Sequence, residues 1–382
     1  MTEIEKLREE RQQLWENLFN MRMPSRVPVF FKVTNEFAIQ YAGKDMFDYQ
    51  WHPEKLFDAG DAVCSDLFSD INPFGTYNLP AVFTLLECRH MIMSDKGILQ
   101  HPEVVPMLPE EYDEFIACPL DYIVEKQIPR GWGRYNTSAE YRSIAFMQNM
   151  LLRTGEYAKI QNIGSQLSQK HGYPVFKKRT TIFNPFDYFA DYFRGFTGIS
   201  LDMRRYPDKV AAAIEALTPL IIERGLTDDH DRMSECYIPM HMPPYMSTKD
   251  FERFYWPSFR QTVQEISDNG QSVLIFAQNN WERYLDHFQE LPRGVRIRFE
   301  YGDPQFIKDK LGKDKILAGF YPYSLISSGT KDECTDKLKE LLDILMPGGN
   351  YYFDFDKVSA TYSGGKENFM TVLSYIYENA GY

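Results

Sequence analysis

The chain has 382 residues, a formal net charge of -12 at pH 7 and an aromatic content of 15%. That length supplies ample chain for a large core and falls within the span of a single α/β barrel. The acidic balance, with no basic tract, excludes nucleic acid and anionic membrane surfaces as partners, because both demand clustered Lys and Arg.

Residues 1–24 open the chain with a charged segment in which Ile4, Leu7, Leu14 and Leu18 recur at roughly helical spacing. The spacing predicts a helix that covers one end of the body. Val27 to Val33 then reads as a strand. Residues 97–130 are rich in Pro, Glu and Asp and keep no period, which marks a long excursion from the main body. Further on, short apolar runs rich in β-formers alternate with helical stretches: Ser272 to Phe276, Val295 to Phe299, Ile316 to Phe320 and Tyr351 to Phe355. This alternation predicts βα units around a parallel sheet. Between two of these runs, Thr330 followed by Glu333 makes a capping box, and Leu338, Leu341, Leu342 and Leu345 form the stripe that packs on the sheet. The pair Gly348-Gly349 ends that helix.

The five cysteines, Cys64, Cys88, Cys118, Cys236 and Cys334, are scattered and show no CxxC spacing. Neither a disulfide framework nor a zinc ribbon is expected from them. The N-terminus is charged and no apolar run is long enough to span a bilayer, so a soluble, cytoplasmic protein is the expectation.

Several blocks in a fixed order resemble the uroporphyrinogen decarboxylase superfamily, which also holds the cobalamin-dependent methyltransferases. SRVPVFFKVTN (Ser25 to Asn35) is similar to the family's first strand. DYFRGFTGISLDMRRYPDKV (Asp191 to Val210) resembles a pattern of glycine, a dozen or so residues and an acidic-proline pair before a helix. PYMSTKDFERFYWPSF (Pro244 to Phe259) and AGFYPYSLISSGTKDEC (Ala318 to Cys334) look like two further blocks, and GGKENFMTVLSYIYENAGY resembles the closing helix. The resemblance implies one domain over residues 1–382, a single (β/α)8 TIM barrel with an N-terminal helical extension. In such a barrel the chemistry lies at the C-terminal ends of the strands.

The resemblance also separates the branches of the superfamily. Its decarboxylases carry Arg-Gln-Ala-Gly-Arg after the first strand to pair tetrapyrrole propionates, whereas this chain has FKVTNEFA with Lys32 as its one base. Members that methylate a thiol carrier hold zinc through His-x-Cys and a later Cys. Those positions fall here on Phe276, on Gln278 and near Phe355 or Asp356, so that zinc site is absent while zinc in another setting stays possible. The branch left takes a methyl group from a donor to the Co(I) of a cobalamin carried by a partner corrinoid protein. Such an enzyme orients the donor and stabilises the leaving oxygen with an acid or a metal.

Four residues are expected to carry that chemistry. His241, in SECYIPMHMPP, falls where the family ends a strand; its bland alternative is a hydrogen-bonded structural histidine. Glu235 lies six residues earlier, about 20 Å away along a straight strand. Asp354 and Asp356 in YYFDFDK alternate on a strand and so share a face, unless they serve as a helix N-cap or a partner for Lys357. These four are also the metal candidates, with Glu87, Cys88 and His90 as a lesser set. Asn35, Gln278 and Asn279 offer neutral amides for a phenol or carbonyl. Tyr237, Tyr321 and Phe186 are expected to wall an aromatic slot, with ordinary core packing as their bland alternative; the aromatic content tilts the expected donor toward a methoxylated aromatic, a phenyl methyl ether, and away from methylamines. A decarboxylase-like enzyme acting on a non-porphyrin substrate and a silent corrinoid-binding paralogue are the alternatives. A rim crowded with arginines would count against the demethylase.

Overall fold

The computed structural model describes residues 1–76 and 80–382. Strands β1 (Val33–Thr34), β2 (Phe74–Thr76), β3 (Ile92–Met93), β4 (Leu99–Gln100), β5 (Arg179–Thr181), β6 (Glu235–Met240), β7 (Ser272–Asn280), β8 (Arg296–Tyr301) and β9 (Ile316–Gly319) are interleaved with helices. The fold is α/β. Its largest sheet is five-stranded and wholly parallel, in the order β5-β6-β7-β8-β9.

The parallel pairing continues past β9 through single bridges. Leu317 and Tyr321 pair with Tyr351 and Phe355, and Phe353 pairs with Val29. Val33 then pairs with Phe74, which brings β1 and β2 into the same row. Among the described residues no pairing joins β2 to β5, the two ends of this row. The expected strands at 27–33 and 351–355 are therefore present as extended, bridged segments, while β7 runs on to Asn280. At Gly319, φ is +94° and an added Cβ would lie 2.2 Å from the Phe299 carbonyl oxygen, so β8 and β9 can approach this closely only with glycine there.

Residues on these strands alternate between two environments. Val29, Phe31, Val273, Ile275, Ile297 and Leu317 belong to the main core, packed among the helices. Their neighbours Phe30, Leu274, Ile316, Ala318 and Tyr352 form a second cluster on the opposite face with Trp15, Leu18 and Phe19. The helix α1 (Glu3–Phe19) therefore covers that face. It starts with a capping box between Thr2 and Glu5 and buries Leu14, Trp15, Leu18 and Phe19. Ile4 stays 43% exposed, so the buried stripe lies further along the helix than the spacing from Ile4 implies. Late in the chain, the helix Lys331–Leu345 has the expected Thr330 to Glu333 capping box and buries Leu338, Leu341, Leu342 and Leu345.

The excursion is larger than residues 97–130. All of the chain between β2 and β5 that is described departs from the sheet: the β3-β4 hairpin, a set of short helices and the long helix Ala139–His171. Glu111 ties the short helices together, accepting from Arg130 at 2.7 and 2.9 Å, Tyr122 at 2.7 Å and Lys126 at 3.1 Å. No helix among the described residues is long and apolar enough to cross a membrane.

One buried ion pair fastens α1, the first strand segment and the turn before β2. The Asp70 carboxylate is fully buried and accepts from both terminal nitrogens of Arg26 at 2.6 Å and from the Val29 amide at 2.8 Å. Its carbonyl accepts from the Trp15 indole at 3.1 Å. Removing one member of a buried pair leaves an uncompensated charge. Asp70→Ala is expected to cost about 3–5 kcal/mol of unfolding free energy, measured as a shift in denaturant midpoint.

Candidate functional site

The alternation that sends apolar side chains inward also sends charged ones. On β8, Arg296 and Arg298 sit two residues apart and therefore on one face, both almost completely buried. Arg296 donates to Glu235 at 2.5 Å, and Arg179 of β5 approaches the other oxygen of that carboxylate at 2.9 Å. Burial alone would push Glu235 up, but Arg296, Arg179 and Lys32 outweigh it and hold the carboxyl at about 2. Arg298 donates to Asp354 at 3.1 Å and to the Tyr237 hydroxyl at 3.3 Å, and lies 3.9 Å over the Phe276 ring. Burial pushes Asp354 up to about 6 in spite of Arg298.

These groups border a cavity of about 820 Å³ at the unpaired edge between β2 and β5. Lys32, Arg179, Arg224 and Arg298 supply its charge, and Phe30, Phe74, Tyr157 and Tyr237 its flat walls. Lys32 has no hydrogen bond or ion pair among the described residues; its nearest favourable neighbour is the Phe30 ring at 5.8 Å. Burial, with help from Arg179, lowers this amine to about 7 although Glu235 and Asp354 pull the other way.

A second cavity of about 440 Å³ adjoins the first and shares Thr181 and Arg224 with it. Phe83, Trp132, Phe183, Tyr188 and Tyr192 make it largely aromatic. His90 also lines it, 2% exposed, with neither ring nitrogen hydrogen-bonded among the described residues. Burial and the nearby His101 lower this imidazole to about 4, which keeps it neutral at pH 7.

At the C-terminal end of β6, His241 follows Met240. Its Nε2 lies 3.1 Å from Asp191, while Nδ1 is 3.6 Å from Asp187, too far to bond. Asp187 is buried and accepts from the Tyr255 hydroxyl at 2.6 Å and the Met242 amide at 3.1 Å. Burial raises Asp187 to about 6. Burial alone would lower His241, but the charges of Asp187 and Asp191 prevail and raise it to about 9. Asp191 also acts on His90, the histidine that lines the aromatic cavity, and raises its proton affinity.

The expected site residues are dispersed over this arrangement. Glu235 and His241 stand at opposite ends of β6 and bind different partners. Asp354 faces the cationic cavity through Arg298, whereas Asp356 accepts from the Tyr323 amide at 2.9 Å at the start of the helix Tyr323–Ser328. Tyr237 lines the larger, cationic cavity. Phe186 and Tyr321 are fully buried core, and Asn35 is buried in the first turn of α2 (Asn35–Tyr41). Gln278 accepts from the Trp281 indole through its carbonyl at 2.8 Å; Asn279, at φ 64°, donates its amide to Glu300 at 2.8 Å. Asn279 borders a small surface cleft with Arg283 and neither of the larger cavities. No group of three or more His, Cys, Asp or Glu is placed to hold a metal among the described residues, the Glu87, Cys88 and His90 set included.

Asp187, Asp191, Arg179 and Arg298 were not among the residues expected from the sequence. The alternation in VRIRF was the available signal for Arg298, since two arginines on one face of an otherwise apolar strand need buried partners. No protein-family model matches the chain, and no curated protein matches it.

The imidazole of His241 is expected to titrate near pH 9 in an NMR pH series, and Asp191→Asn to move that midpoint down. Because the folded value exceeds the unfolded one, the stability gained over His241→Gln is fully present below about pH 6.5 and is lost as pH rises through about 9. A midpoint near 6.5 would show that the carboxylates do not act on the ring.

Proposed function

We propose that the row of parallel strands closes into one (β/α)8 barrel of the uroporphyrinogen decarboxylase-like kind, and that the protein moves a methyl group from a phenyl methyl ether to the Co(I) of a separate corrinoid protein. Supporting the barrel are the unbroken run of parallel pairings from β5 round to β2 and the second, inward cluster that α1 covers. Supporting the chemistry is one observation above all: His241, at a strand's C-terminal end, is held as an imidazolium by Asp187 and Asp191, and Asp191 also acts on His90, which lines the cavity with aromatic walls.

The corrinoid acts here as a substrate brought by its partner. The methyl carbon gains its bond to cobalt from the Co(I) electron pair, the carbon–oxygen bond breaks, and its pair remains on the aryl oxygen. That oxygen then needs a proton. The His241 Nδ1–H makes no hydrogen bond to Asp187, so it is available as donor. Its affinity for protons, about 9, lies just below the value near 10 usual for a phenol, so transfer to a phenolate runs downhill by a small margin. An acid matched in this way is the efficient case for general catalysis. Phe196 and Tyr245, both exposed and in edge contact at 5.6 Å, together with exposed Tyr301, give the C-terminal side an apolar rim suited to a large planar cofactor.

A second reading is favoured by the cationic cavity: a decarboxylase-like enzyme acting on a non-porphyrin acid. Mixing the protein with methoxyarenes and a Co(I) corrinoid carrier separates the two. The account predicts a methyl-Co(III) spectrum, a rate that falls as pH rises beyond about 9, and a loss of about 10²–10⁴-fold in His241→Gln. Carbon dioxide release without methyl transfer would favour the decarboxylase. Carrier binding without either reaction would identify a silent corrinoid-binding paralogue.

A further inference from the structure

The groups around the larger cavity do not balance in charge. Lys32, Arg179 and Arg298 line it from three strands, with Arg296 behind them on the same strand as Arg298, and the carboxylates that answer this group are Glu235 and Asp354. Both carboxylates are already engaged by arginine. Lys32 is left facing the cavity, and exposed Arg224 adds a further positive group at its edge. An ammonium or guanidinium taken from water without a counter-charge is costly unless something else supplies the charge.

We propose that this cavity is a carboxylate site, and that the methyl donor is an aromatic acid whose carboxylate sits between Lys32, Arg179 and Arg298. This rests on the demethylase reading for the methyl group, though not for the acid.

Three features select a planar, singly charged organic acid. The guanidinium fork matches a carboxylate in two parallel bonds. Arg298 has its Nε without a partner among the described residues, and Arg179 reaches Glu235 through Nε, which leaves its two terminal nitrogens for a ligand. The walls Phe30, Phe74, Tyr157 and Tyr237 give an aromatic ring surfaces to stack on. A volume of about 820 Å³ lies within the usual range for small-molecule sites and adjoins, at Thr181 and Arg224, the aromatic cavity that His90 lines. Gly75 keeps the amine accessible: a Cβ there would stand 3.3 Å from Lys32 Nζ.

The acid also stabilises the charged form of Lys32. Besides burial, Arg179 lowers the proton affinity of that amine and Glu235 and Asp354 raise it, while Arg298 and the neutral Tyr237 line the same cavity. Affinity for the acid is therefore full at about pH 6 and declines toward pH 8, as Lys32 loses its proton and Asp354 completes its own ionisation.

Calorimetric titration with benzoate, 4-methoxybenzoate, methoxybenzene and phenyl phosphate tests this. Benzoate and 4-methoxybenzoate are expected to bind and methoxybenzene to bind much more weakly. Lys32→Met, which orphans no partner, is expected to weaken benzoate by about tenfold to a hundredfold with its melting temperature retained, and Arg224→Gln by a smaller factor. The decline in wild-type affinity between about pH 6 and 8 is a second readout that needs no variant. Equal affinity for methoxybenzene, or unchanged binding in Lys32→Met, would overturn the proposal. Tighter binding of phenyl phosphate than of benzoate would overturn it too, by showing a phosphoryl site. Benzoate binding without demethylation of 4-methoxybenzoate would support the carboxylate site and count against the demethylase alone.

Discussion

Opposite charges buried along the row of parallel strands are the constraint on which the rest of this structure depends. Arg296 and Arg298 point inward from β8 because the pleat leaves them no other direction, and each must meet an acidic group within the protein. Glu235 answers Arg296 and Arg179 from the start of β6, and Asp354 answers Arg298 from the segment 351–355. These pairs fix the register of four strand segments more tightly than apolar contacts do, since a slip of one residue would strand every one of these charges among the helices. Among the described residues Lys32 is the member with no hydrogen bond or ion pair of its own, although Glu235 and Asp354 act on it from a distance, and that inequality gives the cavity its chemical character.

The upper end of β6 follows the opposite rule. There two carboxylates, Asp187 and Asp191, face a single imidazole, which becomes a stable cation. One region therefore gathers positive charge around a cavity, and the other holds a protonated imidazole. The aromatic cavity adjoins the first, and His90 stays neutral in it. The proposed function assigns an acidic group of the donor to the first region and its ether oxygen to the second.

How much of this was legible in the sequence depends on how local each feature is. The Thr330 to Glu333 capping box and the stripe Leu338 to Leu345 lie within one helix and were readable directly. So were β7, β8 and β9, whose apolar runs match their cores. The long helix Ala139–His171 was not, because only Ala145, Ile160, Ile163 and Leu167 of it are buried and so few contacts leave no period to detect. His241 was singled out because the resemblance puts a strand end there, and Tyr237 because it is one of many aromatics read as lying near loops, whereas it lies within β6. The meaning of His241 was hidden, since Asp187 and Asp191 come from a different stretch of chain and carry no local pattern. Asp354 and Asp356 share a strand but not a role: one neutralises a buried guanidinium and the other holds a helix start.

The central claim is that an acid completes the charge around Lys32. Calorimetry of benzoate binding near pH 7.5, repeated in buffers of different ionisation enthalpy, measures the protons exchanged on binding. The account predicts net uptake of a fraction of a proton, because the free amine titrates at about 7 and the bound carboxylate raises that value. Binding with no proton uptake, or with release, would contradict it.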